Sequence, residues 1–128
     1  MDAEDIREIF RGLGPVQIRR MFGGQGVYRN DLMFALVASG ELYLKTDDES
    51  VAFFREAGSR AFSYGTRDGS RTLTSYWLMP ESALDAPDEA AELGGMAVAA
   101  ARRKAAGKAK TAGKTGAKTR KRTSGPVT

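Results

Sequence analysis

Apolar residues recur at helical spacing near the start of the chain and at alternating spacing soon afterwards. Ile6, Ile9, Phe10 and Leu13 share one face of a predicted helix. Asp2, Glu4 and Asp5 occupy its first turn, where the helix dipole favours carboxylates, and Arg7 and Arg11 come later. Gly14-Pro15 stops it, because proline lacks the amide donor and crowds the preceding turn. In "VQIRRMF" strict alternation puts Val16, Ile18, Arg20 and Phe22 on one side of a strand and Arg19 and Met21 on the other. "RND" at 29–31 reads as a tight turn. "LMFALVA", 32–38, is apolar throughout and predicts a central strand covered on both faces. Ser39-Gly40 then turns the chain into "ELYLKT", where Leu42 and Leu44 alternate with Glu41, Tyr43 and Lys45. Connections this short join antiparallel neighbours.

Thr46 followed by Glu49 fits a capping box for a second helix through Val51, Phe54 and Ala57, ended by Gly58. "AFSYGT" and "RTLTSYWLM" flank "RDGS", a hairpin signal. After Pro80 the pattern is helical again, with a break near Ala86-Pro87 and a last apolar stripe of Leu93, Met96, Ala97, Ala100 and Ala101. Gly94-Gly95 interrupts that stripe at about 1 kcal/mol each relative to alanine, marking either a kink or a close approach. The order is helix, about three strands, helix, two strands, helix. It predicts an α+β fold over residues 1–101: an antiparallel sheet of about five strands with flanking helices, covered mainly on one face.

Composition narrows the chemistry. There is no cysteine and no histidine, which removes disulfides, thiolate nucleophiles, Cys/His zinc sites and imidazole acid–base catalysis. No residue is assigned to catalysis, a cofactor or a metal. "MDAEDIREIF" is acidic where a signal peptide is basic and then apolar, and no apolar run approaches the roughly 18 residues of a membrane span. A cytoplasmic protein with no membrane partner is expected.

Charge divides the chain. Residues 1–101 carry ten Lys/Arg against all 16 Asp/Glu, a net of −6; residues 102–128 carry ten cations and no acid, a net of +10. Those ten are Arg102, Arg103, Lys104, Lys108, Lys110, Lys114, Lys118, Arg120, Lys121 and Arg122. With one valine as its only large hydrophobe, the segment has little to bury and predicts a flexible tail. Such cations follow a phosphate backbone without reading bases, so DNA is the expected partner of the tail. The alternative is a tail that solubilises the protein or lies on the acidic body. Gly113-Lys114-Thr115 ends like a P-loop, but Lys108 stands where the earlier glycine is required and no apolar strand precedes it.

Three further groups invite a functional reading. Asp47, Asp48 and Glu49 offer clustered carboxylates, yet a helix start accounts for them as capping and dipole partners. Tyr43, Tyr64, Tyr76 and Trp77 could serve as a stacking platform, although aromatics are ordinary strand residues. "RRMFGGQGVY", 19–28, has the look of a phosphate loop, but a dinucleotide loop leads from a strand into a helix. These glycines lead towards strand-like residues, which points to a turn or bulge in an antiparallel sheet.

The run "RRMFGGQGVYRNDLMFALVASGELYLKTDD" and the downstream "FREAGSRAFSYGTRDGSRTLTSYWLMPESALDAPDEA" resemble the TfoX N-terminal domain family over roughly residues 3–103. The family is associated with the Sxy/TfoX regulators of bacterial natural competence. Arg19, Arg20, Met21, Phe22, Gly23, Gly24, Gly26 and Tyr28 sit on its signature. The resemblance implies an α+β fold with an antiparallel sheet. It also implies transcription regulation through a protein partner, in competence regulators the cyclic AMP receptor protein at promoters, rather than catalysis. Those regulators carry a second, helical C-terminal domain where this sequence has the basic tail. The tail itself is similar in composition to linker-histone-like bacterial tails.

Overall fold

A computed structural model describes residues 1–21, 23–66 and 69–116. The first helix, α1 (Ala3–Ile9), opens on a reciprocal cap. The Asp2 carboxylate accepts the Asp5 N–H at 2.9 Å, and the Asp5 carboxylate accepts the Asp2 N–H at 3.0 Å. Its apolar face delivers Ile6 and Phe10 to full burial. Phe10 meets Phe34 edge-on with ring centroids 5.2 Å apart, worth about 0.5–1.5 kcal/mol beyond the area buried.

Four strands follow as an antiparallel meander: β1 (Gln17–Met21), β2 (Gly24–Arg29), β3 (Leu32–Ala38) and β4 (Glu41–Lys45). The turns at Asn30-Asp31 and Ser39-Gly40 hold all four residues at positive φ, between 52° and 75°. Two-residue loops of that hand match the twist of the strands they join. After α2 (Val51–Glu56), the hairpin of β5 (Ala61–Thr66) and β6 (Gly69–Leu78) completes a sheet of order β1-β2-β3-β4-β6-β5. The sheet therefore has six strands where the sequence predicts about five. The extra one is β2, because the glycines after β1 enter a strand instead of only turning the chain.

Helices α3 (Glu81–Leu84) and α4 (Pro87–Gly116) finish the described chain, with Pro87 at the first position of α4, where its missing N–H is harmless. The main core gathers Ile6 from α1 and Phe10 just after it, Phe54 from α2, Ala83 from α3 and Leu93 and Ala97 from α4 against Val27, Phe34 and Leu44. A second, smaller cluster of Leu36, Tyr43 and Tyr76 draws its members and its packed neighbours from strands alone. All four helices thus send buried residues to one face of the sheet, as the pattern predicts. In β3 the pairing passes from Met33 to Ala35 opposite Tyr28 and Val27, leaving Phe34 outside the ladder and pointing with Ala35 into the helix-side core.

The predicted capping box does not form: α2 follows Ser50, whose side chain makes no cap hydrogen bond to the helix, and the reciprocal contact lies in the turn before it. Thr46 is buried, and its amide continues the sheet by donating to the Ser75 carbonyl at 2.7 Å. Asp47 and Ser50 make the reciprocal pair instead: Asp47 Oδ1 accepts the Ser50 N–H and Ser50 Oγ accepts the Asp47 N–H, both at 3.1 Å. Burial in α4 ends at Ala101, and Arg102 to Gly107 are exposed. Helical backbone nevertheless continues to Gly116, where the composition predicts a flexible segment from Arg102. Alanine and lysine are strong helix formers, and extending a packed helix avoids the unfavourable nucleation step.

Candidate nucleic-acid interface

The basic segment leaves the body at Arg102-Arg103-Lys104. Arg102 and Lys104 are exposed. Arg103 is held. Its Nε donates to Asp47 Oδ2 at 2.5 Å and its Nη2 to Asp47 Oδ1 at 3.0 Å, a two-point guanidinium–carboxylate pair, with Glu49 Oε2 3.1 Å from Nε. Asp47 Oδ1 also accepts the Glu49 and Ser50 amides at 3.1 Å. The Arg103 guanidinium, helped by the Ser50 N–H and opposed by burial, holds the Asp47 carboxyl down at about 2. A hollow of about 130 Å³ beside this pair is lined by Asp47, Asp48, Arg55 and Lys104 among others. Lys108, Lys110 and Lys114 lie on the helical backbone of α4, and Lys118, Arg120, Lys121 and Arg122 lie outside the described residues.

Asp47 and Glu49 therefore do more than shape the turn before α2. They receive the root of the basic segment across 56 positions of sequence. The three acids and the cation run were both visible in the sequence, but no local pattern could pair them. A second group of this kind joins β4 to the start of β5. Arg60 Nη2 grips Glu41 at 2.7 and 2.9 Å and Arg60 Nη1 reaches Tyr43 Oη at 3.3 Å, while Tyr43 Oη donates to Glu41 at 3.0 Å. Arg60 lowers the Glu41 pKa, and burial raises that of Tyr43.

The proposed aromatic platform does not assemble. Tyr43 is 3% exposed and Tyr76 7%, so their rings have little face to offer a base. Trp77 packs on the helix side of the sheet, with the main core. The Tyr64 side chain lies outside what is described. Among the described residues, no group of three or more acidic side chains is arranged to hold a metal ion. No helix among them is long and apolar enough to cross a membrane.

Residues 8–101 match the TfoX N-terminal domain family. The chain belongs to that family. A stretch of 52 residues is 42% identical to the DNA transformation protein TfoX1 of Aliivibrio fischeri, covering 41% of this chain and 25% of that protein. The match thus spans about a quarter of the relative's length.

On this TfoX N-terminal domain the signature residues serve the β1–β2 hairpin. Gly23 turns the chain at φ 68°. A Cβ on Gly26 would lie within 3.1 Å of the Met21 sulfur, the Tyr28 ring edge and the Met33 sulfur, so Gly26 is the floor on which those three side chains lie. Arg19 places its guanidinium 4.6 Å from the centre of the Tyr28 ring and 3.9 Å from the exposed Asp31 carboxylate. Arg20 is exposed, one step along the strand and hence on the opposite face. The two arginines do not share a site, as alternation predicts. Phe22 lies outside the described residues. The glycines of the signature support a hairpin.

Proposed function

We propose that this TfoX-type chain is a non-enzymatic regulatory or accessory protein. Its α+β domain works through contacts with another protein, and its basic segment adds sequence-independent affinity for DNA. The observation that carries the reading is the charge division, ten cations and no acid after residue 101 against a net of −6 before it. A segment of that composition neutralises phosphates, and its affinity falls with salt at a slope of about −0.9 per phosphate contacted. The match to a DNA transformation protein supports placing that affinity in a regulatory setting. The lack of cysteine and histidine supports a role without catalysis.

The test compares duplex DNA binding by the full chain and by a variant with Lys108, Lys110, Lys114, Lys118, Arg120, Lys121 and Arg122 changed to glutamine, each at two salt concentrations. Loss of salt-sensitive binding in the variant is the expected result. Equal binding by both proteins overturns the role of the segment. A second reading, a protein-interaction module whose tail is solubilising or autoinhibitory, is favoured by one contact, the seating of Arg103 on Asp47 and Glu49. Partners that survive nuclease treatment in an affinity pull-down, with no DNA binding by the purified chain, would establish it.

A further inference from the structure

We propose that the Arg103–Asp47–Glu49 ion pair is an internal latch, which withholds Arg103 from phosphate and ties the root of the basic segment to the turn that leads into α2. The inference rests on the nucleic-acid reading above and refines it, since it says which cation does not take part. Three observations carry it. The pair is two-pointed, with distances of 2.5 and 3.0 Å to Asp47, and Glu49 adds a second carboxylate at 3.1 Å. The Asp47 side chain is only 9% exposed and is fixed by the Glu49 and Ser50 amides, so it cannot swing away without opening the turn before α2. The Arg103 side chain is 39% exposed, but its Nε and Nη2 are taken by carboxylates, so a phosphate makes a two-point contact through those atoms only by displacing them.

Displacement is opposed by charge as well as by geometry. Asp47 and Glu49 present two carboxylates to anything that approaches Arg103. A polyanion drawn in by the cations further along meets like charge at the point where the segment joins the body. The latch therefore sets a boundary: phosphate contacts begin beyond Arg103, and the acidic body stays clear of the duplex. It also couples α4 to the turn before α2, because the carboxylate that accepts that turn's amides also anchors Arg103.

The test is a cycle on the full chain, read as the salt dependence of binding to a short mixed-sequence DNA duplex. Arg103→Gln in the otherwise unchanged protein should leave the slope as it is. Asp47→Asn with Glu49→Gln should steepen it by about 0.9, the value of one phosphate, and Arg103→Gln added to that background should restore it. A slope made shallower by Arg103→Gln alone overturns the latch, as does a steepening by the acid changes that persists without Arg103. Glu49→Gln alone leaves the Asp47–Ser50 contacts before α2 intact, so its effect, smaller and of the same sign, guards against unfolding as the cause. If the full chain binds no duplex, the nucleic-acid reading fails and takes the withholding role with it. The tie is then judged by amide hydrogen exchange of Val51–Glu56, which Arg103→Gln must accelerate; unchanged exchange overturns it.

Discussion

A Cβ placed on Gly24 would lie 1.9 Å from the carbonyl oxygen of Val37 and 3.0 Å from its carbonyl carbon. The obstacle is backbone in the strand paired beside it, where Gly24 faces Ala38, so no side-chain rotation relieves it. Gly24→Ala must push β2 from β3, and Gly24→Val must do so further. Each is expected to lower unfolding free energy, the valine change by about 3 kcal/mol or more. Urea denaturation measures this. A Gly24→Ala protein as stable as the parent would mean the two strands are not this close.

Gly94 and Gly95 should respond unequally, though they are neighbours in one helix. A Cβ at 94 would stand 3.1 Å from Leu13 Cδ2 and 3.2 Å from the Phe10 ring, whereas one at 95 meets nothing within 4 Å. Gly95→Ala is therefore expected to stabilise by about 0.5–1 kcal/mol through helix propensity alone. Gly94→Ala should gain less, and Gly94→Val should cost about 1–3 kcal/mol as α1 is pushed off. Thermal melts of the three variants side by side decide it. A gain from Gly94→Ala equal to that from Gly95→Ala would show that α1 does not press on the helix there.

That pair illustrates what the sequence could and could not convey. Two glycines in an apolar stripe read as either a kink or a close approach; only the meeting with Phe10 and Leu13 selects approach, and only at Gly94. Local signals read well: Asn30-Asp31 and Ser39-Gly40 gave two-residue turns, and alternation separated Arg19 from Arg20. Thr46 and Glu49 match the spacing of a capping box, yet the Thr46 amide is taken by the sheet and α2 starts only after Ser50. Arg103 looked like one free cation among ten. Its partner lies across the fold, and a contact between distant segments leaves no periodic trace.

Tyr76 should tie stability to alkaline pH. Its pKa is pushed up to about 12, first by burial and then by the nearby Tyr28. A phenol whose folded pKa lies above its unfolded value near 10 stabilises the fold fully below about pH 10. That contribution is lost as the pH rises towards about 12, and for a side chain this buried the shift is worth about 2–3 kcal/mol. Tyr76→Phe should flatten the alkaline arm of a stability–pH curve, with Tyr43 still supplying some slope because its pKa is also raised. An unchanged alkaline arm in the phenylalanine variant would place the Tyr76 hydroxyl in water.

Asp47 should act at the other end of the scale. Its folded-state pKa is depressed from 3.8 to about 2, chiefly by Arg103 and in part by the Ser50 amide. A depressed pKa gives stability that is present above the unfolded value and lost as the pH falls through the folded one, so the window runs from about pH 4 down to about pH 2. Asp47→Asn should lower stability at neutral pH by about 1 kcal/mol or less, because the asparagine Oδ1 still accepts the Glu49 and Ser50 amides and the lost ion pair is screened, the Arg103 side chain being over a third exposed. The same change should make the acid arm shallower within that window. Arg103→Gln keeps the amide contacts but should raise the Asp47 pKa towards the ordinary carboxylate range, which a carboxyl NMR titration reads directly. High salt should do the same in part, because it screens the guanidinium and leaves the amide hydrogen bonds. If the Asp47 titration is the same with glutamine at 103, the amides alone hold the carboxylate, and Arg103 is free to meet phosphate with the rest of the segment.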